Sequence, residues 1–424
     1  MKYSLLHTIR AMPSVEELAV LKKSTREFIA LLSKEIAKAR LPARIRIGGS
    51  FAKGTLIKSE MYEVDIFLQT KGDVNELINR SYPVLTKLCS REHFALEQLH
   101  GSRDYFRIKR GAMIFEIVPV VAVRRPEMAH NVTDVSYSHV SYIKKQLKKN
   151  KSLQRQIALA KLFCKAQGVY GAESYVHGFS GYALECLIIA YGSFLEMAKA
   201  LAKAEDKIIL DPEVHYKSKQ EISIMMNESK TQGPIVLVDP TWKERNVLAA
   251  LSKETFLKFQ QALKNFLKRP SVNFFEAKRV RKEDLIKYAN KIKGELVHIL
   301  LSTDKQAGDI AGTKLLKFAE FIEAEIGKHF SILRKEFVYS GGKEADSYYI
   351  VKPKKSELMR GPPLSMKEHA EAFRKEHKKV IAKKERLYAI VEPEKSASGF
   401  LKRFLQDYEK TVREMDISSV RVVD

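Results

Sequence analysis

The chain has 424 residues and carries 75 Lys and Arg against 51 Asp and Glu, a formal net charge of +24. That length is too great for one core and predicts about two to four domains, while the basic excess favours a polyanionic partner, nucleic acid before an anionic membrane surface. No run approaches the roughly 18 unbroken apolar residues that span a bilayer, since the longest candidate, Tyr182 to Ala200, is broken by Glu185, Gly192, Ser193, Glu196 and Lys199. The N-terminal residues lack a signal-peptide core. Cys89, Cys164 and Cys186 stand far apart in apolar surroundings. They read as buried small hydrophobes of a reducing compartment, hence of a cytoplasmic protein, and not as disulfides or a zinc site.

In chain order, Ser14 with Glu17 forms a capping box that opens a helix, and Leu18, Leu21, Phe28 and Leu32 recur at helical spacing to about Arg40. Arg44 to Ile47 is a short strand that leads into a glycine turn, and Tyr62 to Leu68 alternates as a second strand. Asp73 and Glu76 repeat the capping pattern before a helix from Val74 toward Cys89. A hairpin follows, Tyr105 to Lys109 turning at Arg110-Gly111 into Met113 to Val121. From Ser138 to Gly168 the texture is helical and basic, and Gly171 to Glu196 supplies a turn and then an apolar helix. Gly233 to Pro240 reads as a brief strand ended by Asp-Pro, and Leu248 to Leu267 as a helix. The composition shifts around Lys268-Arg269-Pro270. Beyond it, Glu283 to Leu300 and Leu315 to Phe330 read as helices, and Phe337 to Val351 as a hairpin about Gly341-Gly342. Arg360 to Pro363 reads as a turn, Met366 to Arg386 as a Lys-rich segment, Leu387 to Val391 as a strand, and Ala397 to Met415 as a final helix.

The chemistry concentrates in Gly48-Gly49-Ser50-Phe51-Ala52-Lys53-Gly54-Thr55 and the strand after it. Residues two apart share a face of a strand, so Glu63 and Asp65 leave the same side. Two carboxylates that close repel unless a proton or cation sits between them, and oxygen-only ligation suits a hard cation such as Mg2+. The glycines, the Ser50 hydroxyl and Lys53 offer a phosphate close backbone approach, donors and counter-charge. Alone, the turn would be only a turn and the acidic pair only a solvated strand face. Together they point to nucleotidyl transfer. Glu116, an acid in an otherwise apolar strand, is the candidate third ligand.

These residues resemble the archaeal (class I) CCA-adding tRNA nucleotidyltransferases of the DNA polymerase beta-like superfamily. The likeness is strongest in Gly48 to Leu68, in Tyr170-Gly171-Ala172-Glu173, in Gly178-Phe179-Ser180-Gly181-Tyr182 through Gly192-Ser193-Phe194-Leu195-Glu196, and in Asp239-Pro240 through Arg245-Asn246-Val247. It thins after about residue 270, although Arg360-Gly361-Pro362 still fits. The resemblance implies a polymerase-beta-like head of the α/β class, a small mixed sheet with helices, over residues 1–136. A mainly helical nucleotide- and tRNA-binding domain over 137–268 and an α+β tRNA-binding body over 269–424 would follow. It also implies template-independent addition of C, C and A to the tRNA 3′ end from CTP and ATP, with Mg2+, two-metal transfer and pyrophosphate release. Glu63, Asp65 and Glu116 take the place of the metal-binding and catalytic triad; Ser50, Lys53, His139, Lys161 and Tyr170 that of triphosphate contacts; and Arg245 that of the side chain reading the base. Two positions depart from the family pattern: Lys53 stands for an arginine and Glu116 for an aspartate. The implied partners are tRNA, CTP and ATP, without a membrane, the chain acting as a single copy or a homodimer. The competing expectations are a poly(A)- or oligo(A)-type polymerase with the same head, and a non-catalytic tRNA-binding protein.

Overall fold

The Ser14 side chain accepts from the Glu17 amide and Glu17 reaches back to the Ser14 amide, so a reciprocal cap opens α1 (Val15–Lys38) as the sequence predicts. The computed structural model describes residues 2–100, 103–129, 131–277, 280–354, 357–391 and 394–423, in two compact units, Met1–Lys278 and Arg279–Asp424. The residues expected as head and central domain both lie in the first unit.

That unit continues with β1 (Arg44–Ile47), α2 (Gly49–Lys53), β2 (Tyr62–Thr70), α3 (Val74–Glu92), β3 (Ala95–His100), β4 (Asp104–Arg110) and β5 (Met113–Val121). The sheet order is β1-β2-β5-β4-β3, with β2 parallel to β5 and the other pairs antiparallel. Strand alternation sends Val64, Ile66, Phe106, Ile108, Phe115 and Ile117 into one core with Phe28, Leu32, Leu85 and Leu88 of the two long helices. Phe28 stacks on Phe115 with ring centroids 4.0 Å apart. The same alternation leaves Glu63, Asp65, Glu116 and Arg107 on the opposite face.

Next come α4 (Ser136–Lys149), α5 (Ser152–Ala166), α6 (Gly181–Tyr191), α7 (Phe194–Lys203), β6 (Ile208–Leu210), α8 (Lys219–Met225), α9 (Glu228–Thr231), β7 (Ile235–Asp239), β8 (Trp242–Asn246) and α10 (Lys253–Lys268). Phe163, Phe194, Phe259, Phe266 and Phe275 fill the helical core, and β6-β7-β8 form a small sheet beside it.

The second unit runs α11 (Lys282–Lys291), β9 (Glu295–Ser302), α12 (Asp309–His329), β10 (Phe330–Tyr339), β11 (Glu344–Pro353), β12 (Glu357–Pro363), α13 (Lys367–Glu376), β13 (Val380–Lys383), β14 (Arg386–Val391), α14 (Ala397–Asp407), α15 (Glu409–Glu414) and β15 (Ser419–Val423). Its sheets are β10-β11-β9-β15 and β12-β14-β13. The fold class is therefore the expected one, a mixed-sheet head, a helical part and an α+β body.

Several local expectations need correction. Glu283 to Leu300 is not one helix. It breaks at Lys293, whose φ of 53° is left-handed, and becomes β9, which pairs with both β11 and β15. Arg360 to Pro363 is the end of β12, an edge strand, where a proline takes no ladder bond away. Ala397 to Met415 divides at Tyr408 into two helices, and Ser138 to Gly168 at Asn150-Lys151. Asp73 caps the Asn75 amide, so the second reciprocal box does not form. The strands β3, β6, β8 and β15 had no counterpart in the sequence reading.

Candidate active site

The register of the first sheet puts a row of charge across its open face. Asp65 on β2 is opposite Glu116 on β5, and Glu116 is opposite Arg107 on β4. Glu63 shares the face two residues before Asp65. The Gly48 amide donates to the Asp65 carbonyl oxygen (2.8 Å), which ties the turn to the strand. A Cβ at Gly49, whose φ is +57°, would run into the Asp65 carboxylate. Here both backbone conformation and close approach require glycine.

Burial, and then the Glu63 charge, push the Asp65 carboxyl up against the pull of Lys53. Burial, and then Asp65 and Glu63, raise Glu116 to about 7, again against a cation, Arg107. The row is short of positive charge, and its oxygen-only donors suit a hard divalent ion. Glu116 is meanwhile held sideways: its Oε1 accepts from Arg107 Nη2 (2.7 Å) and Nε (3.2 Å). Among the described residues no three His, Cys, Asp or Glu side chains are gathered closely enough to hold a metal ion. The three expected ligands share a face and two adjacent strands without closing around a point.

The phosphate-directed residues meet in a second cluster. Lys53, at the end of α2, donates to Glu185 Oε2 on α6 (2.8 Å). Lys161 on α5 donates to Glu185 Oε1 (2.7 Å) and to the carbonyl and hydroxyl oxygens of Thr55 (3.1 Å each). Thr55 Oγ1 donates to Glu185 Oε1 (2.5 Å). Burial alone would raise the Glu185 carboxyl, but Lys161 and Lys53 hold it down at about 2. Tyr170 is half-buried, with its ring 5.2 Å from Lys165 Nζ and its hydroxyl 2.8 Å from where a Gly181 Cβ would stand. Ser50 is half-buried in α2, and its carbonyl oxygen accepts from the Thr55 amide (2.9 Å).

A third cluster centres on Asp239, fully buried at the end of β7. Its Oδ2 accepts from Arg245 Nη1 on β8 (2.6 Å) and lies 3.2 Å from His139 Nε2 on α4. Its Oδ1 accepts from the Tyr182 hydroxyl (3.0 Å) and from the Thr241 amide and hydroxyl. Tyr182 joins the two clusters. Its ring stacks on His139 at 3.8 Å between centroids, and Lys53 Nζ stands 5.0 Å from its centroid.

The structure thus brings Lys53 and Lys161 together on one carboxylate, and His139 and Arg245 together on another. Sequence reasoning gave no role to Glu185, Asp239, Tyr182, Thr55 or Arg107. The signal for Glu185 was available: an acid in a helix that is otherwise apolar needs a buried partner. So was that for Asp239, the one acid of a strand buried along its whole length.

Residues 155–276 match the family model described as tRNA nucleotidyltransferase, second domain. The match takes in Lys161, Tyr170, Tyr182, Glu185, Asp239 and Arg245, and leaves the carboxylate row outside it. The CCA-adding enzyme of Saccharolobus shibatae is 30% identical over 307 residues, 69% of this chain and 67% of that protein. That of Methanocaldococcus jannaschii is 26% identical over 392 residues, 91% of this chain and 86% of the other. That of Nanoarchaeum equitans is 36% identical over 211 residues, 50% of this chain, which spans about half (52%) of that relative's length. No helix among the described residues is long and apolar enough to cross a membrane. With the matched span extending across most of both chains in the Saccharolobus and Methanocaldococcus comparisons, the protein belongs to the archaeal-type CCA-adding tRNA nucleotidyltransferases.

Proposed function

We propose that the chain adds C, C and A in turn to the 3′ end of tRNA from CTP and ATP, without a template and with release of pyrophosphate. The observation that carries this is the row of Glu63, Asp65 and Glu116 on the same unit as the lysine pair Lys53 and Lys161. Glu63 and Asp65, joined by Glu116 when it leaves Arg107, would hold Mg2+. When bound, Mg2+ would supply a lowered pKa for the ribose 3′-hydroxyl and charge neutralisation on the triphosphate. The chain's own groups do the rest: Ser50 and Lys53 bind the triphosphate, while Lys161 and Tyr170 offset charge on the leaving pyrophosphate. His139, held through Nε2 against Asp239, would serve the triphosphate through Nδ1 or by turning from Asp239. Every residue in this scheme comes from one copy of the chain, whether or not it pairs as a homodimer. The buried free thiols Cys89, Cys164 and Cys186 favour the reducing cytoplasm. The Lys-rich stretch from Met366 to Arg386, folded as α13, β13 and the turn into β14, is the candidate for gripping duplex phosphates by shape.

Glu116 should behave as a ligand whose charge matters more than its length. Glu116→Ala is expected to be inactive, whereas Glu116→Asp keeps measurable nucleotide addition, because aspartate retains the oxygen donors. Full activity in Glu116→Ala would leave the residue only its pairing with Arg107.

Arg245 is proposed to read the incoming base. One guanidinium nitrogen is fixed on Asp239, and the remaining donors can bond the cytosine carbonyl or ring nitrogen, or the ring nitrogens of adenine. A guanidinium cannot accept from the exocyclic amine that C and A share, so phosphate oxygens of bound tRNA complete the recognition. Arg245→Ala is expected to weaken selection of C over U by about 1–3 kcal/mol, the range for a good bidentate base contact. The measurement is kcat/KM for CTP against UTP on a tRNA awaiting its first C, with triphosphate binding retained. An unchanged ratio would remove Arg245 from base reading.

A further inference from the structure

The proposed triphosphate site contains a resident anion. Glu185 is 1% exposed and shares its two oxygens unequally. Oε1 is locked between Lys161 and Thr55, and all three donors of the Lys161 ammonium are already used, on Glu185 and twice on Thr55. Among the described residues, Oε2 has a single hydrogen-bond partner, Lys53. Lys53 is also the more exposed lysine, its side chain at 9% against 3% for Lys161. Within the cluster two ammonium groups face one carboxylate, a positive excess that the nearby Asp65 carboxyl offsets in part and that an arriving anion can share.

We infer that Glu185 is a positioning residue that stands in for a phosphate oxygen. It holds Lys53 when no nucleotide is bound and yields it to an arriving triphosphate. It keeps Lys161 and Thr55 throughout, and takes Lys53 back as pyrophosphate departs. This rests on the proposal that Lys53 faces the triphosphate. No bond is made or broken except hydrogen bonds and the ion pairs they carry. The carboxylate thus prevents two buried like charges from repelling each other. It also competes with every phosphate ligand for one of them.

The test is calorimetric binding of inorganic pyrophosphate to the full chain in the presence of a chelator, which removes any contribution from a divalent ion held by the carboxylate row. Glu185→Gln should bind pyrophosphate roughly tenfold tighter than the natural chain, the size expected when a charge-assisted bond no longer competes. Glu185→Asp keeps the charge but cannot reach both lysines. It should also bind tighter, and it carries the test if Glu185→Gln does not fold. Lys53→Ala should bind more weakly than the natural chain. Unchanged binding by Lys53→Ala would overturn the assignment of Lys53 to phosphate, and the inference with it. Weakened binding by Lys53→Ala, together with Glu185 variants that bind as the natural chain or more weakly, would leave the lysine assignment standing. It would reduce Glu185 to a buried neutralising partner.

Discussion

Asp65→Ala is expected to lower nucleotide addition by more than about a thousandfold while leaving tRNA affinity nearly intact, since loss of a proposed metal ligand would remove charge stabilisation made only in the transition state. Asp65 is the middle of the row: Glu63 lies on the same strand face, Glu116 across the parallel pair, and Lys53 close enough to pull on its charge. Substitution there takes away the donor that the other two flank. It should not unfold the head, because removing a half-buried carboxylate relieves repulsion within the row. Affinity for tRNA is expected to come instead from the basic surfaces, through release of counterions from phosphates. Single-turnover addition at saturating tRNA, with gel-shift affinity measured beside it, separates the two effects. Glu63→Ala should follow the same pattern. Turnover near that of the natural chain in Asp65→Ala would remove the carboxylate row from the chemistry.

The second large effect is expected at Asp239. The side chain is fully buried and is shared by Arg245, His139, Tyr182 and Thr241. Burial would raise its carboxyl, and His139 and Arg245 hold it well below the usual carboxylate range. Asp239→Ala strands a guanidinium and a buried hydroxyl, and should destabilise the protein by about 3–5 kcal/mol, the cost of breaking one side of a buried charged pair. Asp239→Asn keeps the shape and the acceptor for Tyr182 while dropping the charge that fixes Arg245. It should fold, and its selection of CTP over UTP should fall toward that of Arg245→Ala. Because both substitutions act through one guanidinium, the double variant should be little worse than Arg245→Ala alone. Natural selectivity in Asp239→Asn would show that Arg245 needs no such support.

What the sequence disclosed follows from the range of the interactions involved. The Ser14–Glu17 cap, the alternation of β2 and the β4–β5 hairpin are set by residues within a few positions of each other. They were legible. β9 was not, because Leu296, Ile299 and Leu300 fit a helical period while Val297, Ile299 and Leu301 fit a strand, and only its two distant partners β11 and β15 decide. The same division holds in the site. Glu63, Asp65, Ser50 and Lys53 lie in one short stretch whose chemistry is visible at a glance. The acids that hold the lysines and Arg245 do not. Glu185 lies 132 residues from Lys53, and Asp239 lies 100 residues from His139. An apolar helix with one acid, and an apolar strand ending in one, mark a need for partners without naming them. The family resemblance carried Lys161, Tyr170, His139 and Arg245 onto the chain, yet it gave no reason for the pairings they make. Arg107 escaped notice because its role appears only through register, opposite Glu116.

The most direct measurement is the length and composition of the product formed on a tRNA lacking its 3′ end. It is made with CTP alone, ATP alone and the two together. The proposed activity predicts two additions with CTP alone, one more A when ATP is also present, and then no further growth. Open-ended growth with ATP alone would contradict it in favour of a poly(A)-type polymerase, and no addition under any condition would leave a protein that only binds tRNA.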